Sequence, residues 1–180
     1  PNKNKANREL MDGKDKFAGA YVQDPQKGKH EWVYDLDITS MYPSIIMSLN
    51  ISPETKLGKL DSWNVESFLK GVDKTYSIKD KNGKESAKLT TSEFKNFLKD
   101  NNVSISTNGV LYTQDRKGLI PTLLEKWFDD RVQFRKLAKK FADSGDKEKY
   151  AYFDRRQYIQ KVVLNSLYGV LGLPIFRFYD

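Results

Sequence analysis

The chain has 180 residues, of which 38% are hydrophobic, 13% aromatic and 31% charged, a composition that indicates a folded domain rather than wholesale disorder. It has no cysteine and one histidine, which excludes disulfide scaffolds, thiol catalysis and cysteine-ligated zinc and argues against a Ser-His-Asp triad. The formal net charge is +7. Residues 115–161 hold 13 Lys and Arg against 8 Asp and Glu, which favours a polyanionic partner or a solvated charged surface.

The N-terminal part predicts an arm, a strand and a short helix. Residues 1–16 are rich in Lys and Asn without apolar periodicity, so we expect a mobile polar arm, and nothing there is typical of a signal peptide. Residues 31–39 alternate between apolar and polar side chains, which predicts a strand. Pro43 suits the first turn of the short buried helix that follows.

Asp37 lies where this strand would end. A carboxylate there is typical of a site for a hard cation, and the backbone amides near Ser40 and Met41 would then face an anion. The alternative interpretation is that Asp37 only caps the helix.

The middle of the chain is less informative. We expect a short helix within residues 63–72, a turn at 80–84 and a helix over 91–98 that is capped by Thr91 or Ser92. Residues 109–120 predict a β-hairpin with its turn at 114–118.

The last sixty residues predict two helices in an antiparallel hairpin. The first helix runs from Pro121 to about residue 143, and the second runs from about residue 147 to Tyr168, with Gly169 at its C′ position. The break at 143–145 is short, which brings the helices side by side.

Two polar stripes on these helices are candidates for phosphate binding. Lys161, Asn165 and Tyr168 share one face of the second helix, and Arg131 and Arg135 share one face of the first. Guanidinium and ammonium groups both bind phosphate oxygens, so the stripes could form a triphosphate cradle. The alternative is a solvated face of an amphipathic hairpin.

Two segments carry a family resemblance. Residues 37–46, DITSMYPSII, resemble motif A of family B DNA polymerases, D-x-x-S-L-Y-P-S-I-I. Residues 161–169, KVVLNSLYG, match motif B, K-x-x-x-N-S-x-Y-G. In pattern the chain resembles T-even-type phage replicative polymerases most, since residues 50–55, 108–118 and 17–20 are also similar; Phe17 stands where the family usually has Tyr.

The resemblance implies a role for particular residues. Asp37 and the Ile38 carbonyl would bind metal in a site for two Mg²⁺ ions, and Asp37 and Lys161 would be catalytic. Tyr42 would also exclude a 2′-hydroxyl. Nucleotide binding is implied for Ser40, Met41, Tyr42, Arg131, Arg135, Lys161, Asn165 and Tyr168. DNA contacts are implied for Phe17, Gly19, Tyr168 and Gly169.

The resemblance also implies an α+β fold: a partial palm, with an antiparallel sheet and helices, and a two-helix fingers hairpin. The palm segment would span 17–120, the fingers 121–169, and residues 170–180 would return towards the palm. The family's motif C, Y-x-D-T-D-S, which carries a second metal-binding aspartate, does not occur in the sequence. We therefore expect a fragment, or one part of a split polymerase, that is inactive alone.

The expected function is template-directed DNA synthesis. The partners would be primer–template DNA, dNTP, a sliding clamp and the remaining polymerase segments (exonuclease, motif C palm and thumb), in cis or as a separate chain. We expect no membrane partner and a cytoplasmic location, in the host cytoplasm if the protein is viral. The alternatives are a non-catalytic basic nucleic-acid-binding module derived from a polymerase and a segment of a protein-primed family B polymerase.

Overall fold

A computed structural model describes residues 21–80, 82–173 and 176. These residues form an α+β fold, as predicted, with one antiparallel sheet and several helices. The elements in chain order are α1 (Met41–Leu49), β1 (Lys56–Leu60), α2 (Val65–Leu69), β2 (Thr75–Asp80), β3 (Glu85–Thr90), α3 (Thr91–Asp100), β4 (Val103–Ile105), β5 (Val110–Thr113), α4 (Leu119–Asp143) and α5 (Lys147–Leu171). The predicted arm at 1–16 lies outside the described residues.

Residues 56–113 form the sheet lobe, a five-stranded sheet in the order β3-β2-β1-β5-β4 with every pair antiparallel. Leu60 pairs with Ile78 across β1 and β2, so both side chains point to the same face of the sheet. That face is covered by α2 and α3. The buried residues of its core are Leu60, Tyr76, Ile78, Phe94 and Leu111. Apolar burial of this kind is the main stabilising term for so small a lobe.

Helix α3 begins one residue earlier than its predicted caps. The cap is Thr90, whose hydroxyl accepts from the Glu93 N–H while the Glu93 carboxylate accepts from the Thr90 N–H, a complete capping box. Thr91 is instead buried, and its hydroxyl accepts from the Lys74 N–H. The sequence pattern alone did not distinguish these neighbouring hydroxyl residues.

The β-hairpin predicted over 109–120 is wrong. Val110–Thr113 is strand β5, which pairs with β1 and β4, and the chain turns from there into helix α4 at Leu119. Ile120 is buried against α1 and α5, so helical packing rather than strand pairing fixes this segment.

The strand predicted over 31–39 is also absent: this stretch is irregular. Its apolar side chains are exposed, and Leu36 is 93% exposed. A strand needs a neighbour to satisfy its backbone N–H and C=O groups, and none of the described strands pairs with these residues. The alternating pattern therefore indicates strand propensity, but no described strand lies beside these residues to form a sheet.

Helices α4 and α5, residues 119–171, form the predicted antiparallel hairpin, here called the helical hairpin. Phe153 of α5 packs on Phe141 and Phe134 of α4, with ring centroids 5.5 and 6.3 Å apart. The prediction for Gly169 is wrong, since α5 continues to Leu171 and Gly172 is the C-cap. None of the described helices combines the length and apolarity that crossing a bilayer requires.

A second core joins the helical hairpin to α1. It consists of Ile46, Ile120, Leu124 and Leu164. Leu164 is only 1% exposed and lies between Lys161 and Tyr168 of α5, so burying it fixes the rotation of α5 about its axis. The core thus places the motif-bearing part of α5 beside the motif-bearing helix α1.

Candidate functional site

Asp37 lies on the exposed loop that precedes α1. No hydrogen bond or ion pair joins its carboxylate to another described residue, and the N-cap of α1 is Ser40, so the helix-capping interpretation of Asp37 is wrong. Ile38 beside it is exposed as well. The described residues contain no cluster of three or more His, Cys, Asp or Glu that could hold a metal ion.

The start of α1 has free capacity for an anion. Ser40 adopts the left-handed conformation, with φ 51° and ψ 50°, and makes no side-chain cap. The first turn holds no acidic residue. The Ser44 hydroxyl instead donates to the Thr39 carbonyl at 3.1 Å. The first backbone N–H groups of α1 therefore lack a side-chain acceptor, and the helix dipole favours negative charge near Ser40 and Met41.

Tyr42 of α1 and Tyr168 of α5 stack on each other. Their ring centroids are 4.1 Å apart and the ring planes differ by 10°. Tyr42 is 40% exposed and Tyr168 is 38% exposed, so one side of the pair faces solvent. The stack brings together two predicted site residues that lie 126 positions apart in the chain.

Lys161 and Asn165 line a shallow groove of about 320 Å³ on α5, together with Tyr158, Val162 and Ser166. Both predicted residues are exposed. The Lys161 ammonium has no ion-pair partner among the described residues, so it is available to a phosphate group.

Arg131 and Arg135 are not in the lining of this groove. Arg135 is exposed on α4, whereas Arg131 is half-buried in the hairpin. The Arg131 Nε atom is fully buried and has no hydrogen-bond partner among the described residues. A buried donor without an acceptor costs free energy, and burial keeps this atom out of reach of solvent in the structure.

The predicted DNA contacts are described only in part. Tyr168 and Gly169 lie on α5, where Gly169 is exposed. Phe17 and Gly19 lie outside the described residues.

Sequence reasoning gave no role to Asn50 and Glu54, which follow α1. Asn50 is 3% exposed and adopts the left-handed conformation. Its amide hydrogen-bonds to three backbone groups of residues 113–118. Burial raises the pKa of the Glu54 carboxyl, but hydrogen bonds from the Leu119 N–H and the Ser52 hydroxyl, with the nearby Arg116 charge, outweigh it and lower the pKa. An Asn after a helix followed by S-P-E-T was the available signal.

Comparison with known proteins places this site in a family. The family model described as DNA polymerase family B matches residues 2–179. The chain is 26% identical over 215 residues to a DNA-directed DNA polymerase of Enterobacteria phage T4 and 24% over 212 residues to that of Escherichia phage RB69. These two alignments cover 93% and 91% of this chain, respectively. It is 28% identical over 166 residues to a DNA polymerase of Pyrococcus glycovorans, covering 92% of this chain.

The chain spans 21% of the length of each phage relative and 16% of the Pyrococcus relative. Among solved structures, that of the family B DNA polymerase from the hyperthermophilic archaeon Pyrobaculum calidifontis matches with a TM-score of 0.50 and 26% identity. That match covers 78% of this chain and 14% of the other. The two sequence motifs, their meeting at the tyrosine stack and a family match over nearly the whole chain lead to one conclusion: the chain belongs to DNA polymerase family B.

Proposed function

We propose that this chain supplies the nucleotide-selecting part of a template-directed DNA polymerase, which transfers a nucleotidyl group from dNTP to a primer 3′-hydroxyl. The observation that carries the proposal is the stack of Tyr42 on Tyr168. It joins the helix that begins beside a free carboxylate to the helix that carries a free lysine. A substrate with a sugar, a base and a chain of phosphates would meet all three kinds of group there.

The triphosphate would be held mainly by cations of the helical hairpin. In phosphoryl transfer the negative charge is spread over the phosphate oxygens, and catalysis consists largely of positioning and of neutralising that charge. Lys161 and Asn165 offer a donor pair on one groove, and Arg131 and Arg135 add two guanidinium groups from the neighbouring helix. The amides of Ser40 and Met41 would bind further phosphate oxygens from the palm side.

Asp37 fits one part of a divalent-metal site. Its carboxylate is exposed and unpaired among the described residues, and Mg²⁺ prefers such oxygen ligands, with the Ile38 carbonyl next to it. Two bound Mg²⁺ ions would supply charge stabilisation for the attacking and leaving oxygens. A two-metal site needs more carboxylates than Asp37 alone, so we propose that a second aspartate comes from another polymerase segment.

Tyr42 would select deoxyribose. Its ring is held in place by Tyr168, and a rigid ring beside the sugar would leave no room for a 2′-hydroxyl. Tyr168 and Gly169 would lie below the new base pair, and Phe17 and Gly19 would contact the template.

In this proposal residues 17–120 are the palm segment, 121–169 are the fingers, and 170–180 return towards the palm. The partners are primer–template DNA, dNTP, a sliding clamp and the remaining exonuclease, palm and thumb segments, in cis or as a separate chain. The reaction takes place in the cytoplasm, in the host's if the source is viral. The 180-residue chain alone does not extend a primer.

A basic DNA-binding module without catalysis is the second candidate, which the positive charge of residues 115–161 favours. Substitution of Lys161 separates the two. We expect Lys161→Ala to lower dNTP use by a primer-extending assembly of the chain with the other polymerase segments, with DNA affinity nearly unchanged. An effect on DNA affinity alone would support the binding module.

A further inference from the structure

We propose that residues 50–55, here called the root segment, fix the angle between the helical hairpin and helix α1, and that Asn50 and Glu54 are positioning residues for nucleotide binding. The link to nucleotide binding rests on the proposed function. The mechanical part of the proposal does not, since it concerns only contacts within this chain.

Asn50 connects the end of α1 to the loop that leads into α4. Its side-chain amide donates to the Thr113 carbonyl at 2.7 Å and to the Arg116 carbonyl at 2.8 Å. Its side-chain oxygen accepts from the Gly118 N–H at 2.8 Å. An Asn side-chain amide can make about four hydrogen bonds. Three of those of Asn50 are made to backbone groups that lie more than sixty residues away in the chain.

The root segment also caps the N-terminus of α4. The Glu54 carboxylate accepts from the Leu119 N–H, and the Ser52 hydroxyl accepts weakly from the Ile120 N–H at 3.4 Å. Gly118 itself, the N-cap, makes no side-chain cap because it has no side chain. The acceptors that a helix normally takes from its own cap residue are therefore supplied by a distant segment. The negative charge of Glu54 also interacts favourably with the positive end of the helix dipole.

Close packing reinforces this connection. A Cβ atom added at Gly118 would lie 2.6 Å from the Ser52 Cβ, so no larger residue fits without moving the two segments apart. In addition, the Arg116 guanidinium donates to the Glu54 carbonyl at 2.8 Å. The root segment and residues 113–118 thus each donate hydrogen bonds to the other.

The length of α4 makes the position of its cations sensitive to small movements at the root segment. Helix α4 has 25 residues and is therefore roughly 37 Å long. Arg131 lies about 18 Å from the root, so a tilt of about 5° there would move it by roughly 1.5 Å. Displacements of about 1 Å in a catalytic site can cost on the order of a hundredfold in rate. The root segment therefore controls whether the cations of the hairpin reach their ligand.

The absence of cysteine allows a direct test on the chain itself. Spin labels at Ser48→Cys on α1 and Lys139→Cys on α4, both exposed sites, report the distance between the helices by double electron–electron resonance. We expect one narrow distance distribution for the parent. Asn50→Asp keeps the shape of the side chain but removes both donated hydrogen bonds, so we expect the distribution to widen about twofold.

Matched variants in the sheet lobe serve as controls. Asn101→Asp removes an amide-to-carbonyl hydrogen bond at the end of α3, and Glu93→Gln removes a capping charge at its start, as Glu54→Gln does at α4. Both controls should leave the distribution unchanged, whereas Glu54→Gln should widen it less than Asn50→Asp. Should Asn50→Asp fail to fold, Glu54→Gln and Gly118→Ala decide. A parent-like distribution in the folded root variants would overturn the proposal.

The kinetic consequence is tested separately. In a primer-extending assembly, Glu54→Gln should lower kcat for dNTP incorporation more than it raises KM, since it displaces the cations rather than removing one. An unchanged kcat would overturn the positioning role even if the distance changes. If instead Lys161→Ala has no effect on nucleotide use while the root variants change the distance, the proposed function fails and the mechanical assignment stands.

Discussion

The sheet lobe and the region that carries the motifs are built in opposite ways. The sheet lobe encloses its aromatic residues, with Phe94 in contact with Trp63, Tyr76 and Phe68. Around α1 and α5 the family motifs leave their residues open: Tyr42, Ile45, Val162 and Tyr168 are all between 38% and 46% exposed. The difference indicates that burial stabilises the sheet lobe, whereas the motif residues around α1 and α5 are accessible to a ligand.

The largest effect should come from opening the enclosed core. Phe94 is fully buried, so Phe94→Ala removes its packing and leaves a cavity, and we expect a loss of about 3–5 kcal/mol of stability. Urea unfolding followed by circular dichroism measures it. Leu69→Ala, at a residue 77% exposed in the same lobe, is the control and should change stability by less than about 0.5 kcal/mol. Equal losses would show that the core is not where the burial indicates.

The open region should lose function rather than stability. In a primer-extending assembly we expect Lys161→Ala and Arg131→Ala each to lower kcat/KM for dNTP at least about tenfold, since a charge-assisted bond to phosphate contributes about 1.5–3 kcal/mol. Steady-state single-nucleotide incorporation measures this. Lys139→Ala is the matched control, an exposed lysine of the hairpin with no partner among the described residues. If Lys139 matters as much as Lys161, the hairpin is a general basic surface.

A smaller and more selective change is expected at the tyrosine stack. Tyr42→Ala or Tyr42→Val should raise the use of ribonucleotides relative to deoxyribonucleotides, because the ring that would collide with a 2′-hydroxyl is gone. The ratio of the two incorporation efficiencies is the measurement. Tyr150→Ala, at a tyrosine of similar exposure on α5, should leave the ratio unchanged. The same ratio in Tyr42→Ala as in the parent would mean that Tyr42 packs against Tyr168 but does not exclude ribonucleotides.

The smallest effect concerns pH. The folded pKa of Glu54 lies below its ordinary value of 4.5, so its stabilising contribution is present above about pH 4.5 and is lost as the pH falls through the folded pKa. Glu54→Gln should therefore destabilise the chain at pH 7, and its difference from the parent should shrink as the pH falls below 4.5. Thermal unfolding as a function of pH tests this. A difference that grows towards low pH would contradict the capping role of Glu54.

The helical hairpin was predictable because its signals are local. Pro121, the 3–4 spacing of apolar residues and the break at Gly145 agree with one another, and the structure moves the helix ends by only a few residues. The predicted strand over 31–39 failed because strand pairing depends on a partner that no local pattern reveals. Strands β1 to β4 of the sheet lobe were not predicted for the same reason: they have three to six residues and mix polar with apolar side chains.

The site was predictable only as motifs, not as contacts. Motif spacing led to Tyr42 and Tyr168, but their stacking follows from burial of Leu164 against Ile46 and the neighbouring helices, which is a tertiary property. Asn50 illustrates the same limit. Its left-handed conformation suits an Asn after a helix, yet its partners at 113–118 are close only once the sheet lobe has folded.

The central claim, that Asp37 binds metal for nucleotidyl transfer, is tested most directly by primer extension with Mg²⁺ and dNTP. The chain is assayed alone and together with a polypeptide that carries the Y-x-D-T-D-S motif and the other polymerase segments. We predict no extension by the chain alone, extension by the assembly, loss of at least about a thousandfold on Asp37→Asn, and parent-like extension on Asp24→Asn, at another exposed aspartate of the same stretch. Extension by the chain alone, or by the Asp37→Asn assembly at the parent rate, would contradict the account.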